Sequence, residues 1–158
     1  MITIGTIRNC DNNKYDENWA IVRSLKNSDD HIKQVAALSP SKELFYLYRD
    51  LCSKNQWNAE AFAKIYVPQF LKELRHGPEK GIDFLNQLYK ADKANKNIYL
   101  ACFCNDETLC HRSIIAGLLQ AVKCNVKFDA DTAYKKIHDM KIDLNPDYTK
   151  YYDLYKVA

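Results

Sequence analysis

An apolar run from Ile98 to Cys104 passes through a short polar loop, Asn105 to Leu109, and then Cys110, His111, Arg112 and Ser113 open a second apolar stretch. The first run is short and apolar at successive positions, as a strand covered on both faces is. The second repeats Ile114, Ile115, Leu118, Leu119 and Val122 at helical spacing. A buried strand that leads through a loop into an amphipathic helix is the building unit of parallel sheets, so this segment restricts the chain to α/β layers. It also creates a chemical focus. The start of a helix carries free backbone N–H groups and the positive end of the dipole, and here a thiol, an imidazole, a guanidinium and a hydroxyl stand in that first turn. Such a notch suits an anion, with Arg112 as a bidentate fork.

The rest of the chain agrees with layers of this kind. Ile2 to Ile7 alternates as a strand, and Trp19 to Val22 reads as a second, so that Arg8 and Arg23 fall just past two strand ends. Ser28 to Leu38 fits a short helix capped by Ser28, with Asp29 and Asp30 in its first turn. Ser39 and Pro40 predict the next helix start, with Leu44, Leu47, Tyr48 and Leu51 following at helical spacing. Asn58 caps a helix carrying Phe62, Tyr66, Phe70 and Leu74, which Pro68 kinks or splits. Gly77 and Pro78 end it, and Ile82, Leu85, Leu88 and Tyr89 make one more face before the central strand. Val126 to Phe128 predicts a short last strand, and residues 145–158 a tyrosine-rich helix or tail. We expect a single α/β domain over residues 1–158, a mostly parallel sheet flanked by helices in Rossmann-like layers, with ligands beyond the carboxyl ends of the strands. Arg8, Arg23 and the Cys110–Ser113 turn would then converge on one crevice.

Composition narrows the function classes. With 47% apolar residues the 158-residue chain can fill a full core, and a net charge of +3 spread among acids does not make a groove for a long duplex. Small anions, and nucleic acid in a lesser role, stay open as partners. No run approaches a membrane span, and MITIGTIRNC lacks a signal-peptide core, so a cytoplasmic protein without a membrane partner is expected. Six irregularly spaced cysteines in a chain this large suggest reduced thiols, not a disulfide framework. Abundant Lys, Asn, Asp and Tyr with four Gly and four Pro hint at an A- and T-rich coding sequence, as in a low-GC microbe or its phage.

The order Ala37-Leu38-Ser39-Pro40-Ser41 with Leu44 and Tyr48, then Trp57, Phe62 and Tyr66, then a hydrophobic strand ending in cysteine and a loop closing with Cys-His-Arg, resembles the family called domain of unknown function 488. The resemblance spans about Ile2 to Gln120 and implies a small α/β domain without implying a reaction. Cys104, Cys110, His111 and Arg112 match its signature, and Ser39, Pro40 and Ser41 its helix start. The tyrosine-rich end departs from it.

Several roles compete for these residues. Arg112 and His111 can clamp an anion, or Arg112 can pair with Asp106 or Glu107 and only fix the loop. Cys110 or Cys104, with a pKa lowered by the helix start, His111 and Arg112, can act as a nucleophile with His111 as base, although Arg112 stands too far beyond Cys104 for a phosphatase loop. Cys102, Cys104, Cys110 and His111 offer four soft ligands. Adjacent helical residues point about 100° apart, however, and the Cys102–Cys104 spacing is short, so no metal or other cofactor is expected. Cys102 and Cys104 share a strand face, which makes a Cys104–Cys110 redox pair conceivable. The tyrosines Tyr148, Tyr151, Tyr152 and Tyr155 either stack on a base or cover core. His31, His76 and His138 read as surface residues. The ligand expected is a phosphorylated small molecule, a nucleotide or a nucleotide-derived signal, held by Arg8, Arg23, Cys104, Cys110, His111, Arg112 and Ser113. The alternative is an enzyme that acts on such a nucleotide or on a nucleic-acid base through His111 or Cys110.

Overall fold

Five strands form one sheet in the order β3-β2-β4-β1-β5, and every pairing is parallel. The computed structural model describes residues 1–25, 31–104, 106–131 and 143–158. Strand β1 (Ile2–Thr6) lies between β4 (Ile98–Cys102) and β5 (Val126–Phe128), with Ile2 opposite both Ile98 and Val126. Strand β2 (Glu17–Ala20) pairs with the other side of β4, and β3 (Ile32–Gln34) forms the edge beside it. All five residues of β1 and of β4 are buried, because helices cover both faces of the sheet's centre. The α/β reading of the sequence therefore holds.

Helix α1 (Lys42–Ser53) is capped by the Ser41 hydroxyl, which accepts from the Leu44 N–H, while Glu73 receives both the Ser41 N–H and its hydroxyl. The start thus lies two residues beyond the expected Ser39 cap, whose hydroxyl instead donates to Ala36 O. Asn58 caps α2 (Ala59–Ala61) as its sequence suggests. A π-helical turn (Phe62–Tyr66) then leads into α3 (Val67–His76), which begins around Pro68. Helix α4 (Gly81–Lys93) buries Leu85 and Leu88, and α5 (His111–Ala121) follows β4. The last helix, α6 (Lys150–Lys156), packs on α3 and α5.

The helix expected over Ser28 to Leu38 is corrected in its second half. Residues 32–34 are the edge strand β3 and Ala36–Leu38 a single 3-10 turn, whereas Ser28, Asp29 and Asp30 lie outside the described residues. Loop residue Asn105 and His138 also lie outside them, while His31 and His76 are exposed as expected. Among the described residues no helix is long and apolar enough to cross a membrane.

Candidate functional site: a cleft with a cysteine–histidine floor

The carboxyl ends of parallel strands leave carbonyls and loops pointing one way, and in this molecule they open into a cleft of about 1240 Å³. Its base is built from Ile7 after β1, residues 21–25 after β2, and Cys102, Phe103 and Cys104 at the end of β4. One wall is the face of α1 carrying Lys42, Phe45, Tyr46, Tyr48 and Arg49, backed by Trp57 and Tyr66. Phe45, Tyr46 and Phe103 are exposed at 39%, 61% and 62%, so apolar rings stand ready at the cleft for a flat ligand. Behind them an aromatic series runs inward by edge and stacked contacts, from Tyr48 through Trp57, Tyr66 and Phe70 to the imidazole of His111.

The floor holds a tight group of thiols and an imidazole. The Cys102 and Cys110 sulfurs are 3.5 Å apart, the Cys110 Sγ is 3.4 Å from His111 Nδ1, and the Cys104 N–H donates to Cys102 Sγ at 3.4 Å. His111 Nε2 lies 2.8 Å from Ile21 O; a carbonyl only accepts, which assigns the ring proton to Nε2 and leaves the Nδ1 lone pair facing Cys110. The four potential ligand atoms of Cys102, Cys104, Cys110 and His111 all lie within 4.8 Å of one another. Helical geometry would have separated Cys110 from His111. Cys110 is instead the N-cap of α5, with extended backbone (φ −137°, ψ 154°), so its side chain turns back over the ring that follows. The angular argument against a shared centre fails for that reason.

Electrostatics concentrates negative charge on Cys110. Burial alone would push its thiol up, but hydrogen bonds from Cys102 and Cys104, with His111 and Arg112 beside it, outweigh burial and hold it well below the ordinary thiol value. Burial pushes Cys102 up to about 12, and hydrogen bonds with Cys102 and Cys110 keep Cys104 protonated. Arg112 feels the same field. Burial opposes its charge, yet the three sulfurs more than compensate and hold the guanidinium protonated.

Arg112 is not placed as an open clamp. It is 1% exposed, with Nη1 donating to Gly5 O at 2.8 Å and Nη2 to Cys104 O at 2.6 Å. Its partners are the carbonyls of Gly5 near the end of β1 and of Cys104 just past β4, not the loop acid that the sequence offered. Ser113 is buried and donates to Cys110 O, and Arg8 is exposed but does not line the cleft. Arg23 does reach it, with Nε and Nη2 on Pro40 O and Nη1 2.7 Å from Glu79. Cys104, Cys110 and His111 line the floor as expected. Sequence reasoning missed Lys42, Phe45, Tyr46 and Arg49. Their signal was the surplus of aromatic residues in α1, where Leu44 is the one buried residue and yet three rings occupy positions 45, 46 and 48.

No curated protein and no solved structure matches the chain. The model of a family described as the active DUF488-N3 subclade matches residues 4–123, which hold β2, β3 and β4, the end of β1, the α1 wall and the Cys102–Arg112 floor, and the chain therefore belongs to the DUF488 family.

Proposed function

We propose that the protein binds a phosphorylated small molecule with a flat ring system, a nucleotide or nucleotide-derived signal, in the cleft at the carboxyl edge of the sheet. The observation that carries this reading is the α1 wall: Phe45, Tyr46 and Tyr48 offer ring faces, and Lys42 and Arg49 add two cations on the same helix. Stacking suits a base, and the cations suit its phosphates. The anion contact passes from Arg112 to these wall residues, because the guanidinium of Arg112 is spent on carbonyls. Six free thiols fit a reducing compartment such as the cytoplasm.

Trp57 lines the cleft and serves as the probe. Titration with nucleoside mono- and diphosphates should change its fluorescence, and Arg49→Ala should weaken binding by about tenfold or more, the loss of one charge-assisted contact. Failure of every nucleotide to bind, or wild-type affinity in both Arg49→Ala and Lys42→Ala, would sink the reading.

A second reading is favoured by one observation, the 3.4 Å approach of Cys110 Sγ to His111 Nδ1 with the far ring nitrogen anchored on Ile21 O. In an enzyme acting on the bound nucleotide, Cys110 would be the nucleophile and His111 the acceptor of its proton. The family's description as active leans the same way. Conversion of an incubated nucleotide that stops in Cys110→Ser, with binding retained, would establish it; return of the nucleotide unchanged would exclude it.

A further inference from the structure

We infer that Cys102, Cys104, Cys110 and His111 together bind one zinc ion, a Cys3His centre at the floor of the cleft. A tetrahedral zinc with sulfur ligands at about 2.3 Å and nitrogen at about 2.0 Å sets S···S edges near 3.8 Å and S···N edges near 3.5 Å. The two edges seen here are 3.5 Å for Cys102–Cys110 and 3.4 Å for Cys110–His111, and the widest separation in the group is 4.8 Å. Closing that widest edge takes a shift of about 1 Å, within the freedom of a thiol rotor.

The surroundings match what a metal-bound imidazole and thiolates require. A ligating histidine normally gives its other N–H to a carbonyl or carboxylate, and His111 Nε2 is already on Ile21 O. Three thiolates and a divalent ion leave one net negative charge in a buried place, and Arg112 brings one positive charge against the same sulfurs. The Arg112 Nε–H is buried without a hydrogen-bond partner among the described residues, so it remains available to a thiolate. Zinc would join the end of β4, the loop behind it and the first residue of α5 in one rigid node. Its four protein ligands make a closed, structural set. A loaded site also spends the Cys110 thiolate and the Nδ1 lone pair, which leaves the cleft with binding and excludes the thiol-nucleophile route.

Metal content and cobalt substitution test this directly. Reduced wild-type protein should hold close to one zinc per chain, and cobalt(II) in its place should show tetrahedral visible bands with thiolate-to-cobalt charge transfer. Cys104→Ser, Cys110→Ser and His111→Asn, each checked for fold by far-ultraviolet circular dichroism, should lose more than about 100-fold in zinc affinity, above the loss that outer partners produce. Cys52→Ser and Cys124→Ser should retain it. Reduced wild-type protein that binds neither zinc nor cobalt with those bands overturns the assignment whatever the variants do, as do bands that persist in Cys110→Ser. The nucleotide titration reads Trp57 and the α1 wall, so failure there leaves the metal result standing and the reverse also holds.

Discussion

Arg112 shows how a single side chain can be misjudged from its charge. Strands β1 and β4 run side by side to the same edge of the sheet, where Gly5 is the next-to-last residue of β1 and Cys104 lies two residues past the end of β4. The guanidinium supplies donors to Gly5 O and Cys104 O at once, and so ties both strand ends to α5. Gly5 makes this possible from the other side: any Cβ there would run into the hydroxyl of Tyr99, which bonds Thr6 and Asp129. Arg112→Met keeps the volume but leaves two buried acceptors unmet, and should lower unfolding free energy by about 2–4 kcal/mol in a urea titration. The affinity of the folded fraction for nucleotide should fall less than in Arg49→Ala. An unchanged urea midpoint would show that water already serves those carbonyls. The sequence disclosed that an arginine at a helix start needs an acceptor. It could not disclose that the acceptors are backbone atoms, one of them 107 residues away along the chain.

At the scale of elements, what was legible depended on whether the cause was local. The β4–loop–α5 unit declared itself because burial on both strand faces and helical spacing are written into neighbouring residues. The start of α1 did not, since Ser39 and Ser41 are both competent caps, and the choice is made by Glu73, thirty-two residues on, holding the N–H and hydroxyl of Ser41. Strand β3 was missed for a related reason: with three residues paired on one side only, it has too little alternation to read. The floor was half legible: Cys102, Cys104, Cys110 and His111 stood out in the sequence, but their convergence was hidden by treating Cys110 as helical. A further element-level contact hangs on Gly117 of α5, where an added Cβ would meet the carbonyl of Tyr148. That close approach lets the C-terminal segment lie against the helix, with Gln120 donating to Pro146 O and accepting from the Tyr148 N–H. Gly117→Ala must push backbone from backbone. It should cost about 1–3 kcal/mol and raise amide exchange along α6, measurable by hydrogen–deuterium mass spectrometry. Unchanged exchange there would mean that the two elements are held apart already.

The whole molecule divides its labour between two ends of one core. The region matched by the family model, residues 4–123, carries the cleft, and the tyrosine-rich segment beyond it contributes no residue to the cleft lining. Tyr151 is 6% exposed and packs in the main hydrophobic cluster, with Tyr148, Tyr152 and Tyr155 half-buried against it. Arg75 of α3 donates to the carbonyls of Tyr155 and Lys156, satisfying acceptors that the end of α6 leaves open. Of the two roles the sequence allowed those rings, covering the core is the one the packing supports. Stability and ligand binding should therefore separate by mutation. Tyr151→Ala removes a buried ring and should cost about 2–4 kcal/mol, a fall of several degrees or more in Tm for a chain of this size. Nucleotide affinity, measured by calorimetry below the transition, should stay within about twofold, because the variant leaves every wall cation and ring in place. If affinity fell in step with stability, the cleft would have to be coupled to the far side of α3 and α5, and the α1 wall could no longer be treated as an independent binding surface.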